Sequence, residues 1–336
     1  MNAPTRPALS MLDLVPITAG GTVAGALAQS LRTARHAEAL GFTRYWVAEH
    51  HNLAGVASSA TAVLVGYLAG GTQRIRVGSG GIMLPNHTPL VVAEAFGTLA
   101  ELYPGRIDLG LGRAPGSDAL TMRALRRDRV ETEDQFPRDV AMLQGLLAPA
   151  EPGQRLVAVP GAGTEVPIWL LGSSLFSAHL AARMGLPYAF AAHFAPAQMD
   201  AALTVYRAEF QPSAQLHTPY VMVGVPVIAA PSDEEAELLA SSVRERVLGI
   251  LTGRRGPLQP PRPGFLASLQ PEQRAGIESF LGAAVIGGPA RVRDGLARMH
   301  ARTAADELMI TCDIFDAELR LRSLDITAQA IRARPS

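Results

Sequence analysis

Short apolar runs rich in valine, isoleucine, leucine and aromatic residues recur along the 336-residue chain, and longer amphipathic segments separate them. Several of these runs are almost continuously apolar, which is typical of strands that are buried on both faces of a parallel sheet. We therefore predict eight strands, at 8–17, 44–50, 75–84, 106–113, 166–173, 187–194, 220–229 and 306–314.

The segments between the predicted strands have the composition and periodicity of helices. The first, 23–41, is amphipathic and stops at Gly41, a residue type that commonly ends helices. Eightfold strand–helix alternation predicts a (β/α)8 TIM barrel, which we expect to be a single domain over 1–336. A doubly wound open sheet is the alternative. The other predicted helices are 57–69, 89–102, 118–147, 174–184, 196–211, 233–250, one within 271–300, and 316–333.

Two segments rich in proline and glycine interrupt this rhythm. Residues 148–167 precede the fifth strand, and residues 251–273 form a Pro-rich insertion before the last strand. Both are longer than usual connections, and the second is interpreted as a lid or a disordered segment.

The predicted helix at 58–71 is apolar nearly all round, which indicates burial on more than one side. On the outer ring of a barrel this predicts a symmetric homodimer. Coverage of the helix by the Pro-rich insertion is the alternative.

Composition removes several classes of function. All 30 basic residues are arginine, so no lysine can form a Schiff base or serve a P-loop. Net charge is +0, which gives no electrostatic footprint for nucleic acid. Cys312 is the only cysteine, so no disulfide can form within the chain. Because neither a signal peptide nor an apolar run of about 18 residues is found, we expect a cytoplasmic protein without a membrane partner.

Candidate chemistry is sought at the carboxyl ends of the strands, where barrel active sites lie. After the fifth strand, Gly172, Ser173 and Ser174 open a helix that has no acidic residue in its first turns. This pattern suits a phosphate, although an ordinary N-cap would explain it equally well. After the fourth strand, Arg113 in "GLGR" supplies a charge and a fork of donors. The ends of strands seven and eight carry acidic residues, so we expect the phosphate elsewhere.

Two adjacent histidines, His50 and His51, follow the second strand. On an extended backbone they point to opposite faces, so one is expected to enter the pocket as a proton donor or acceptor and the other to be structural. A barrel metal site of the hydrolase type needs two histidines two apart on one strand, and "EHH" lacks that spacing. His87 and His193 could converge from other strands, but we expect no metal.

Other residues at strand ends could line the pocket. Gly80 and Gly81 mark either the close approach of a ligand or a bend where the barrel closes. Asp13 either lines a substrate pocket or pairs with an arginine. Apolar candidates, which favour an apolar substrate although core residues look the same, are Met83, Leu84, Phe194 and Phe315.

Four stretches carry a resemblance to a known family: "YWVAEHHN", "VGSGGIMLPNHTPLVVAE", "FGTLAELYPGRIDLGLGRAPGSD" and "VPIWLLGSS". Together, and in this order, they resemble the luciferase-like flavin-dependent monooxygenases, of which bacterial luciferase is the best-known member. The resemblance implies a (β/α)8 barrel, often dimeric, that binds reduced FMN. A separate NAD(P)H:flavin reductase supplies the reduced FMN, and O2 then oxidises a small organic substrate.

The resemblance also implies roles for individual residues. His50 matches a catalytic base near the flavin, and Gly80–Gly81 match a pair whose cis peptide lies beside the isoalloxazine ring. His193 stands near an aromatic position by the flavin. The residues that match the phosphate-binding region are Arg113, Gly172, Ser173, Ser174 and Leu175.

Two departures from luciferase affect the choice of substrate. Gly172 stands where luciferase has an acidic residue, and residues 251–273 show no likeness to its mobile loop. These two departures argue against light emission and against an aldehyde substrate more strongly than they argue against flavin binding. The alternatives are a deazaflavin-dependent oxidoreductase, a non-catalytic flavin-binding protein of the same superfamily and, more distantly, a metal-dependent hydrolase.

Overall fold

A computed structural model describes residues 6–114, 119–125 and 135–333, and parallel strands form its centre. Eight of them pair in the order β1-β2-β3-β4-β5-β6-β7-β9, and β9 also pairs with β1, so the sheet closes into a barrel. This closure confirms the predicted (β/α)8 fold and excludes the open sheet. The strands are β1 (Ala8–Asp13), β2 (Arg44–Val47), β3 (Arg76–Met83), β4 (Ile107–Gly112), β5 (Ile168–Gly172), β6 (Tyr188–Phe190), β7 (Val221–Ala229), β8 (Val285–Gly287) and β9 (Glu307–Thr311).

Helices connect the strands, and those of the described ranges largely match the predicted ones. The predicted helix 118–147 contains two helices, and residues 126–134 between them lie outside the described residues. None of the described helices combines the length and apolar composition needed to cross a bilayer. The helices are α1 (Val23–Ala39), α2 (Thr61–Gly70), α3 (Pro89–Leu102), α4 (Ala119–Leu125), α5 (Gln135–Leu147), α6 (Leu175–Arg183), α7 (Met199–Glu209), α8 (Asp233–Leu251), α9 (Pro271–Phe280), α10 (Pro289–Thr303) and α11 (Ala317–Arg332).

The short strand β8 was not predicted. It extends the sheet outside the barrel, where Val285, Ile286 and Gly287 pair with the last three residues of β7. A three-residue strand is too short for hydrophobic alternation to show, and helices on both sides dominate the pattern of 271–300.

Two layers of side chains close the lower part of the barrel. At the amino-terminal end, Arg44 lies between the carboxylates of Asp108 and Glu307, at 2.9 Å from each. Although burial opposes it, these two charges raise the pKa of the Arg44 guanidinium. Above them Trp46 and Trp169 meet edge to face, with ring centroids 5.2 Å apart. These side chains therefore fill the barrel at its amino-terminal end, and the cavity described below opens at its carboxyl end.

The Pro-rich insertion packs against the loops after β1 and β2 and against α8. Leu258 is 1% exposed, and its backbone bonds to Ile17 and Ala19 after β1. The insertion therefore does not cover α2, on which Val63 and Tyr67 are 75% and 47% exposed. The proposed coverage of the apolar helix by the insertion was wrong, and the expected dimer stays a prediction.

Candidate functional site

A cavity of about 820 Å³ opens at the carboxyl ends of the barrel strands. Its wall is mainly apolar, with a few histidine, arginine and serine side chains among the apolar ones. Concave apolar pockets with a few polar groups are typical of small-molecule sites. The predicted site residues that line it are His50, Gly80, Gly81, Met83, Arg113, Gly172, Ser173, Ser174 and His193.

His50 lies just beyond β2, where the chain has left the sheet. Its backbone N–H donates to the carbonyl of Ser58 at 2.9 Å, which fixes the turn. The side chain lines the cavity, and its buried Nδ1 has no partner in the described part of the chain. Burial, together with the charges of Arg246 and Arg255, lowers the pKa of His50 to about 4. The imidazole is therefore neutral near pH 7 and can accept a proton.

His51 turns away from the cavity toward Glu49. Glu49 Oε1 lies 2.7 Å from His51 Nε2 and 2.8 Å from His87 Nε2, and Oε2 accepts the Met83 N–H at 3.1 Å. Although burial raises the pKa of Glu49, the contacts with His87 and His51 lower it below its ordinary value. The histidine doublet is thus split as predicted, but by the turn after Val47, because β2 has already ended there.

Glu49, His51 and His87, here called the Glu49 trio, are also three potential metal ligands that lie close together. One atom each from Glu49, His51 and His87 lies within 4.8 Å of the others. This grouping differs from the convergence of His87 with His193 that the sequence allowed. Hydrogen bonds within the trio and from Met83 already satisfy the Glu49 carboxylate, so the absence of a metal stays our prediction.

His193 faces the cavity from the segment after β6. A Cβ added at Gly224 of β7 would collide with its ring, so glycine at that position is what admits the imidazole. Its buried Nδ1 also has no partner among the described residues. Burial, and then the charge of His50, lower the pKa of His193 to about 4. Two neutral imidazoles, each with a buried Nδ1 that lacks a partner among the described residues, therefore face one cavity.

The candidate phosphate-binding region lies where β5 is followed by α6. Ser174 is the N-cap of α6, its side chain makes no capping hydrogen bond, and the first turn has no acidic residue. The Arg113 guanidinium lies over the Phe176 ring, 4.2 Å from its centroid. Leu175 begins α6, but its side chain does not line the cavity. Amide donors and a cation thus converge where an anion could bind.

Gly80 and Gly81 form part of the cavity wall and are joined by a cis peptide bond, as the resemblance implied. A Cβ on Gly80 would lie 2.6 Å from Leu12 Cδ1, and one on Gly81 would lie 2.6 Å from the carbonyl oxygen of Gly110. The backbone contact excludes a side chain at Gly81, whereas one at Gly80 would require Leu12 to move, and bare backbone faces the cavity at both positions.

Asp13 does not line the cavity, and the prediction that placed it in the substrate pocket was wrong. It is fully buried and accepts from Arg320 Nη2 at 2.7 Å and from the Tyr45 hydroxyl. Burial opposes its ionisation, but Arg320 and Tyr45 keep the pKa of Asp13 below its ordinary value. The alternative expectation, pairing with an arginine, is the observed one. Of the apolar candidates, Met83 and Phe194 line the cavity, whereas Leu84 and Phe315 do not.

Sequence reasoning missed a cluster of charges on the other side of the cavity. Arg246 of α8 pairs with Asp313 beyond β9 at 2.9 Å, and both line the wall. Arg254 and Arg255, from the start of the insertion, line it too. The available signal was "GRRG" directly after a predicted helix. It was overlooked because only the strand ends were searched for chemistry.

Comparison with known proteins gives a consistent result over the whole chain. The sequence model of the luciferase-like monooxygenase family matches residues 9–306. A luciferase-like monooxygenase of Escherichia coli K12 is 50% identical over 319 residues, which is 95% of each chain. An N-acetyl-S-alkylcysteine monooxygenase of Bacillus subtilis is 41% identical over 187 residues, 54% of this chain and 56% of its own.

Solved structures give the same result. The crystal structure of apo-MsnO8 matches with a TM-score of 0.87 at 37% identity, covering 98% of this chain and 100% of its own. More distant matches share the fold alone. One is a type II Baeyer–Villiger monooxygenase constituent from Pseudomonas putida in complex with FMN, with a TM-score of 0.73 at 16% identity, 97% of this chain and 98% of its own. Another is a secondary alcohol dehydrogenase dependent on coenzyme F420, with a TM-score of 0.67 at 15% identity, 98% of this chain and 100% of its own.

Proposed function

Because the chain belongs to the luciferase-like monooxygenase family, we propose that it is an FMN-dependent, two-component monooxygenase that oxidises a small organic substrate with O2. One observation carries this proposal. The neutral His50 imidazole faces the same cavity as the bare Gly80–Gly81 backbone and the anion-binding region at Arg113 and Ser174. A proton acceptor, a wall without side chains and a phosphate site are what a flavin enzyme of this family requires.

The described residues fit FMN at three points. Arg113 and the backbone amides that open α6 would hold the phosphate, since their donors are not used by a cap or an acidic residue. Gly80–Gly81 would lie against the ring system, where any side chain would collide with neighbouring residues. The buried, unpartnered Nδ1 atoms of His50 and His193 would gain a hydrogen-bonding partner from a ligand in the cavity.

When bound, reduced FMN supplies the activation of O2, and the protein contributes binding, orientation and proton transfer. His50 accepts or returns a proton at a cavity-facing ring nitrogen, and its lowered pKa keeps it available as a base near pH 7. His193 donates or accepts a hydrogen bond beside it. The apolar wall excludes water from the reaction.

Two partners belong to the same proposal. A separate NAD(P)H:flavin reductase supplies reduced FMN, which reaches this protein by diffusion or by direct contact. A second copy of the chain packs on α2, whose exposed Val63 and Tyr67 give it an apolar outer face. The resemblance to the family supports both proposed partners, the reductase and the second copy of the chain.

The test is an assay with FMN, NADH, a flavin reductase and O2 against a substrate panel that includes N-acetyl-S-alkylcysteines. We expect a product that contains one atom from labelled O2 and forms only with enzyme and reduced flavin. His50→Ala is expected to abolish most of it. FMN binding without such a product across a broad panel would favour a non-catalytic flavin-binding protein instead.

A further inference from the structure

The acidic and the basic side chains of the cavity wall differ in whether they have a partner within the protein. Each acidic residue of the wall already has a partner: Glu49 contacts two histidines, Asp313 pairs with Arg246 at 2.9 Å, and Glu245 lies 3.9 Å from Arg262. These carboxylates are therefore already engaged by side chains of the protein and are not free to bind a cationic ligand group.

Three arginines of the wall have no carboxylate partner among the residues that the structure describes. The Arg113 guanidinium lies over the Phe176 ring. Those of Arg254 and Arg255 make neither an ion pair nor a hydrogen bond within the described ranges. Arginine cannot lose its charge in a protein, so these groups attract anions. The cavity is consequently built for negatively charged ligand groups.

These arginines lie at two separate places on the rim. Arg113 follows β4 and lies beside the candidate phosphate-binding region after β5. Arg254 and Arg255 belong to the loop after α8, whose continuation bonds to residues beyond β1. In the closed strand order, β5 and β1 are four positions apart in a ring of eight, which places them on opposite sides of the barrel. One phosphate cannot use both places.

The loop that carries Arg254 and Arg255 is anchored on both sides. Before it, a Cβ at Gly249 would come within 2.7 Å of the Arg254 carbonyl oxygen. After it, Gly256 touches Gly55, and Leu258 bonds to Ile17 and Ala19 at 2.8 Å each. The backbone contacts therefore hold this loop, and the two arginines with it, at the edge of the cavity.

The cavity wall also has an apolar part. It includes Val243, Val247 and Ile250 of α8 and Leu53 and Val56 after β2. We propose that Arg254 and Arg255 form a subsite that binds the carboxylate of a substrate whose remaining part is apolar. The planar guanidinium fork matches a carboxylate, and the apolar wall accommodates the rest of the molecule.

This inference rests on the proposed function, because it assigns Arg113 to the flavin phosphate and leaves the arginine pair for the substrate. It also adds a carboxylate to the apolar substrate that the sequence led us to expect. The carboxylate end would sit beneath the insertion, so the apolar part would extend toward His50 and the Gly80–Gly81 wall.

The test uses octanoate and its neutral analogue octanamide as probes of the FMN-free protein, with calorimetry as the measurement. We expect octanoate to bind at least about tenfold more tightly than octanamide, the usual magnitude for a hydrogen bond to a charged group. The double variant Arg254→Gln/Arg255→Gln should lose this preference. Arg298 of α10 is exposed and does not line the cavity wall, so Arg298→Gln is the control and should keep this preference.

Equal binding of the two probes to the wild type, no octanoate binding at all, or an unchanged preference in the double variant would overturn the subsite. FMN affinity is measured on the same proteins. The double variant should bind FMN as the wild type does, which also shows that it is folded; a selective loss of FMN binding would place the flavin phosphate at the arginine pair and overturn the assignment. Failure of the wild type to bind FMN would instead contradict the proposed function, whatever octanoate does.

Discussion

His50 is kept neutral by its surroundings. Burial and two nearby arginines disfavour its protonated form, and no described residue uses its Nδ1. We predict that His50→Ala lowers kcat by roughly 100-fold or more, the usual contribution of a general base. FMN affinity should stay within a few-fold, because the phosphate contacts are remote from this residue. Steady-state kinetics and FMN titration measure the two effects; near-normal turnover would refute the role of His50.

His51→Ala serves as the control for this variant. His51 bonds to the buried carboxylate of Glu49, so its removal should lower the melting temperature through the loss of a charge-assisted hydrogen bond. Turnover measured well below that temperature should fall much less than in His50→Ala. Wild-type stability of His51→Ala would contradict the division of labour between the two histidines.

The charges around His50 also predict a pH effect. Most ionisable groups near His50 carry a positive charge or gain one on protonation: Arg246, Arg255, His51 and His193. The nearby acidic group is Glu49. Because positive neighbours disfavour a second positive charge, Arg255→Gln should raise the pKa of His50 from about 4 toward its ordinary value of 6.5. NMR titration of the His50 ring measures this shift. Arg298→Gln, at an exposed position of α10 outside the cavity wall, should leave it unchanged, and an unshifted His50 in Arg255→Gln would contradict the electrostatic account.

Residues that belong to a strand-end motif could be predicted from the sequence, whereas those brought in by packing could not. His50, Arg113 and Gly80–Gly81 stand in motifs at strand ends, and they line the cavity. Arg246 lies in a helix and faces the cavity beside Asp313, whereas Arg255 lies just after that helix, where the insertion folds back onto the barrel. Asp13 was ambiguous because its partner, Arg320, is 307 residues away in the sequence.

At the scale of elements, the barrel strands were predictable because most are long apolar runs separated by amphipathic helices. The short β8 was not, since three residues give no period. Helix α2 shows what an all-round apolar pattern can and cannot establish. The pattern indicates that another part of the protein or a partner packs on the outer face of α2. The structure shows that the Pro-rich insertion does not pack there.

We therefore predict that α2 forms a homodimer contact. The double variant Val63→Glu/Tyr67→Glu should weaken the dimer at least about tenfold, because a symmetric contact would bring four carboxylates together. Sedimentation measures the association. Val23→Glu, which charges an exposed apolar position on α1, is the control and should stay dimeric. A monomeric wild type, or a double variant that stays dimeric, would contradict this contact.

At the scale of the whole molecule, charge is distributed unevenly although the net charge is +0. The lower barrel holds compensated ion pairs around Arg44, and the cavity above it carries uncompensated arginines at two sides. The cavity thus presents arginines without an ion-pair partner among the described residues at two places where anionic ligand groups are expected. This division supports one flavin phosphate and one anionic substrate in the same cavity.

The most direct test of the central claim is an anaerobic titration of the protein with reduced FMN and, separately, with a reduced deazaflavin coenzyme. We predict that reduced FMN binds and that Arg113→Gln weakens it by roughly tenfold or more, as expected for the loss of a charged phosphate contact. The deazaflavin should bind far more weakly. Binding of the deazaflavin together with no binding of either redox form of FMN would contradict the account.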